Sequence, residues 1–134
     1  MTIFRRSMNG PEAHALVNTE CNRRIRAGFF FAGKPYDYDE VSQARIAGAS
    51  TAALGAKMNG AQPGDLRWRW PDRDFQWIAA DNSLTPMDAQ TCFRFGEAAL
   101  DHEAAHVFAA RMLKTAAALP ADWRDDPYWP GGAP

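Results

Sequence analysis

His102, Glu103 and His106 fall in the order H-E-x-x-H, the one arrangement in the chain whose residue types and spacing could do bond-breaking chemistry. On a helix, side chains at i and i+4 project from one face. Two imidazoles could then share a Zn²⁺ while the glutamate polarises a metal-bound water. Such a centre needs a third protein ligand. The only other histidine is His14, read as a helix-surface or packing residue, and the acidic groups downstream are Asp122, Asp125 and Asp126, in a segment that no regular element positions. A zincin-type domain is also longer, with an edge strand ahead of the motif helix. Short patterns recur by accident in stretches rich in Ala, His and Glu. The reading adopted is no catalytic residue, no metal ligand and no cofactor, with a zinc-dependent hydrolase on His102, Glu103 and His106 kept as an alternative.

A second cluster joins Trp68, Trp70 and Trp77 to Arg67, Arg69 and Arg73. Aromatic platforms interleaved with Arg can hold single strands or glycans. Alternation, however, puts Leu66, Trp68 and Trp70 on one face of a strand and the arginines on the other, which is the pattern of a half-buried strand, and Asp72 and Asp74 dilute the positive field. Core packing is the expectation. The glycines form no phosphate-binding loop, and no serine sits in a nucleophile elbow. Cys21 and Cys92 are unclustered, so buried, inert thiols are expected rather than a disulfide framework or a zinc ribbon.

The elements that must position these residues follow from patterning. The chain has 134 residues, 46% hydrophobic and 23% charged, enough for one core, and its net charge of −1 gives no basic excess for nucleic acid. No apolar run approaches the roughly 20 residues that cross a bilayer, and Ser7, Met8 and Asn9 follow Arg5 and Arg6 where a leader's apolar core would begin. No membrane or nucleic-acid partner is expected. Apolar spacing at Ala15, Leu16, Cys21 and Ile25 predicts a helix over 11–25, with Asn9 as a candidate cap. Phe29–Tyr38, turning at Gly33, reads as a hairpin, and the segment from Ser42 to Met58 reads as a second helix on Ile46, Ala49, Ala53, Leu54 and Met58. A second hairpin is expected from 66–70 paired with 75–79. Thr85 and Pro86 then read as N-cap and N1 of a last helix whose core stripe is Phe93, Leu100, Ala104, Val107 and Phe108.

The expected fold is α+β: three helices with two β-hairpins forming a small antiparallel sheet, one domain over 1–120, and an extended C-terminal arm over 121–134. Trp123, Tyr128 and Trp129 stand in that arm among aspartates, prolines and glycines. They are the candidate partner-binding residues, docking on a neighbouring subunit or on the domain itself, because aromatics in such an arm gain little unless buried.

Several strings resemble an uncharacterised domain family of phages and prophages, found in tail-fibre and tail-tip proteins and in small neighbouring proteins. They are R-R-I-R-A-G-F-F-F-A-G from Arg23, the opening of the second helix from Ser42 to Ile46, D-L-R-W from Asp65, F-Q-W-I-A-A-D-N from Phe75 and P-M-D-A-Q-T from Pro86. The resemblance spans Arg23 to Lys114 and supplies no functional residue to carry over. It implies a non-enzymatic structural protein of a phage tail, contacting other tail proteins and itself as a homo-oligomer. The location implied is the virion tail, with the host cytoplasm during assembly. A tail-fibre assembly chaperone is the alternative. A fibre protein carries a long shaft ahead of this domain, whereas only Met1 to Asn22 stand there, so a free-standing version is expected.

Overall fold

The computed structural model describes residues 9–131; the readings made of residues 1–8 and 132–134 lie outside them. The fold is α+β. In chain order it runs α1 (Pro11–Arg26), β1 (Phe29–Phe31), β2 (Lys34–Tyr36), α2 (Glu40–Met58), β3 (Gln76–Ile78), β4 (Leu84–Pro86), α3 (Ala89–Thr115) and a 3₁₀ turn, Asp126–Tyr128. The hairpins do not merge into the single sheet expected. Among the described residues β1 pairs only with β2 and β3 only with β4, both antiparallel. A backbone bond from Ala80 N–H to Pro35 C=O, 2.9 Å, ties one to the other.

Local chemistry explains each boundary. Ala32 and Gly33 both take positive φ, +50° and +79°, which gives the tight turn whose twist suits the Phe29–Tyr36 register. The second hairpin differs from expectation. Its turn is Asp81–Asn82–Ser83, with Asn82 at φ +69° and Asp81 accepting from Ser83 N–H, so Gln76–Ile78 closes onto the next segment, Leu84–Pro86. Residues 66–70 are a loop instead, joined to Phe75 by one bond from Phe75 N–H to Leu66 C=O and to Arg73 by an isolated bridge at Trp70. Their side chains still alternate half-buried and exposed.

Pro86 therefore ends a strand, and the cap of α3 is Asp88, whose carboxylate accepts from Thr91 N–H at 2.7 Å and from Gly64 N–H at 2.8 Å. Asn9 does not cap α1; Gly10 occupies that position without a side-chain bond. Asn9 Nδ2 donates to the carbonyls of Leu113 and Ala116, closing the C-terminus of α3 instead. That helix ends at Thr115 rather than near Leu119.

α3 is the axis of the molecule, packed on both other helices. Its buried residues are Ala89, Cys92, Phe95, Ala99, His106, Ala110 and Leu113. The stripe expected in the core lies largely on the other side: Leu100, Val107 and Phe108 are exposed, while Phe93 and Ala104 are half-buried. Small residues win the inner face because they let helices approach closely. At Gly96 a Cβ would lie 2.5 Å from Ser50 Cβ of α2. α1 likewise buries Ala13, Val17, Cys21 and Ile25 at strict i+4 spacing and leaves Ala15 and Leu16 outside. On α2, Ile46 and Ala53 are buried, but Leu54 and Met58 are exposed. Among the described residues no helix is long and apolar enough to cross a membrane.

Candidate functional site

The histidines of α3 reach a cleft where α1, the first hairpin and the C-terminal segment meet. Its volume is about 410 Å³, and its wall includes Arg23, Arg24, Phe29, His102, His106 and Pro130. His102 Nε2 donates to Ile25 C=O at 2.9 Å, and His106 Nδ1 donates to His102 C=O at 2.7 Å. Each imidazole thus spends one ring nitrogen on the backbone, which fixes its orientation and leaves one nitrogen unused. The rings sit edge to face with centroids 4.6 Å apart. Phe29 and Tyr38 pack on His102, and Trp129 stacks on His106. His106 is only 5% exposed, and this burial pushes its pKa below the usual imidazole value, reinforced by the positive groups nearby.

Glu103, the third member of the motif, points elsewhere. It accepts a hydrogen bond from Tyr38 O–H and lines the groove between α2 and α3, while the histidines line the cleft. Burial and this carboxylate together raise the Tyr38 pKa, so the phenol stays protonated as the donor. Among the described residues no group of three or more His, Cys, Asp or Glu side chains is placed to hold a metal ion. The arrangement brings the two histidines together and separates the glutamate from them. Each unused ring nitrogen can accept a hydrogen bond from a group in the cleft.

The positive side of the cleft is also internally balanced. Glu20 accepts from Arg23 and Arg24 at 2.6–2.8 Å, and these guanidinium groups hold its carboxyl at about 2. Arg24 reaches further, to Arg124 C=O at 2.7 Å and to the Asp126 carboxylate at 3.0 Å, and lies 5.3 Å over the Trp129 ring. It is the bolt that fastens the C-terminal segment to α1.

The three aromatics of that segment divide. Trp123 and Trp129 are each 5% exposed, within the chain's own core, the second of the two docking modes the sequence left open. Trp129 Nε1 donates to Trp123 C=O at 2.9 Å, and the Arg124 guanidinium covers the Trp123 ring at 4.2 Å. Tyr128 is half-buried and donates to Asp122 Oδ1 at 2.8 Å.

In the other cluster, Trp68, Trp70 and Trp77 are half-buried around Phe75, and Trp77 reaches Phe95 of α3. Trp68 Nε1 donates to Met87 C=O, and Arg73 lies 4.2 Å over Trp70, so these rings mostly hold the 66–75 loop in place. Cys21 and Cys92 are buried free thiols; burial drives Cys92 up to about 12, which keeps it unreactive.

The surface that sequence reasoning missed is the outer face of α3. Leu100, Val107, Phe108 and Met112 are 64%, 54%, 65% and 73% exposed, on the outer side of one helix. The signal was present. Cys92, Phe95, Ala99, His106, Ala110 and Leu113 follow spacings of three, four and seven, a complete inner stripe that leaves the larger apolar set outside.

A family model described as a domain of unknown function, DUF4376, matches residues 11–127. No curated protein and no solved structure matches the chain.

Proposed function

This chain belongs to the DUF4376 family, a domain of unknown function, over residues 11–127, and we propose that it is a non-enzymatic structural protein of a phage tail, acting through contacts with other tail proteins and with itself. The observation that carries the reading is the outer face of α3. A row of large apolar side chains more than half exposed is what a subunit presents to a partner, and scattered single exposures would not need that explanation. The assignment to a tail draws on the strings at Arg23–Gly33, Asp65, Phe75 and Pro86, which resemble the phage family. The Arg24 bolt adds that the C-terminal segment is part of the body of the subunit, leaving the helical face as the larger apolar surface for assembly.

Mass spectrometry of purified particles from a phage or prophage that encodes the chain tests this. The expected result is the protein in fixed stoichiometry with known tail components. Finding it only in the lysate of producing cells would overturn the structural role and favour the assembly chaperone.

A further inference from the structure

We propose that the exposed face of α3 pairs with the same face of a second copy, the two helices running antiparallel about a two-fold axis near Ala104. This deepens the assembly reading given above and rests on it, but it concerns the isolated chain.

The first argument is charge. Glu97, Ala104 and Arg111 stand seven residues apart, so they lie along one line of the helix at the middle of the outer face. Glu97 and Arg111 are both exposed, and neither forms an ion pair with another described residue. An acid seven residues before the centre and a base seven after it make the line self-complementary in one direction only. Antiparallel pairing sets Glu97 opposite the second copy's Arg111, twice by symmetry. Parallel pairing sets Glu against Glu and Arg against Arg, so the electrostatics select direction as well as partner.

Shape agrees with charge. Ala104 at the axis has no side chain beyond Cβ to hold the helices apart, and the flanking apolar residues interdigitate around it. Leu100, four residues before the centre, meets the level of Phe108, four after it. Val107 and Met112 border the same strip, and Leu54 of α2 shares a groove with Leu100, which widens the apolar contact. The four exposed large side chains of α3 contribute on the order of 400 Å² per copy, about half of what one partner of a standard interface buries, so a micromolar dimer is the expected strength.

Sedimentation equilibrium of the full chain from 1 to 100 µM should show a monomer–dimer equilibrium. Phe108→Glu, at a site 65% exposed, should leave the circular dichroism spectrum unchanged and weaken association about a hundredfold, since both copies lose the contact. Glu97→Arg alone and Arg111→Glu alone should each weaken it about tenfold, and the double exchange should recover the original strength. Ala104→Cys should yield a disulfide-linked dimer on mild oxidation, because the axis brings the two side chains together. A monomer at 100 µM overturns the proposal, as does a dimer insensitive to Phe108→Glu. Single charge variants without effect overturn the antiparallel arrangement. Failure here leaves the particle composition untouched, so it is distinguishable from failure of the tail reading.

Discussion

Burial of His106 ties the fold to proton concentration. Its pKa is depressed because the charged imidazolium would lie under Trp129 and beside Arg24, out of water. The unfolded chain binds that proton at the ordinary histidine value, and the folded chain does so only at lower pH. The contribution is therefore fully present above the ordinary value and is lost as pH falls through it toward the depressed one. Its slope at most reaches ~1.4 kcal/mol per pH unit, the limit for one proton. Urea midpoints between pH 8 and 5 should decline, and His106→Phe should flatten that decline. The H-E-x-x-H pattern was legible at this scale; what the sequence could not display is that one nitrogen of each ring is spent on a carbonyl and that Glu103 turns toward Tyr38. Those facts depend on which side of α3 faces α1, which no local spacing states.

At the scale of elements, the contact between α2 and α3 depends on having no side chain at Gly96. Gly96→Val would drive methyl groups into Ser50 of α2 and should cost about 2 kcal/mol in thermal or urea denaturation, part of which Ser50→Gly should restore. The start of α1 at Pro11 was readable in place, that of α3 in kind only. Asp88 caps α3 while the Thr85–Pro86 pair that resembled a start belongs to β4, because the Asp81–Ser83 turn had already committed those residues to a hairpin. The first hairpin was legible to within two residues, since Gly33 marks its turn and aromatics flank it. The phase of α3 was not. Size of side chain suggested Leu100, Val107 and Phe108 as core, and close helix approach favoured Ala99, His106 and Ala110.

At the scale of the whole molecule, α3 serves two neighbours in turn. Its first half lies on α2, where Cys92 Sγ meets Ala49 C=O and Gly96 meets Ser50. Its second half lies on α1, where Lys114 donates to Asn18 and Asn9 closes the helix end. The C-terminal segment is bolted to α1 through Arg24 and stacks Trp129 on His106 in the second half of α3, so it opens and closes with that half. A beam held at each end by a different clamp can lose one clamp and stay straight. Native-state hydrogen exchange should accordingly resolve two cooperative units: α1 with residues 120–131 and the C-terminal turns of α3, and α2 with its loop and the N-terminal turns. Arg24→Ala should raise exchange in the first unit and leave the second unchanged; a uniform rise would mean the two clamps act as one. With two separate units the chain behaves as a hinged pair on a common spine, able to release one side in a crowded assembly without surrendering the other.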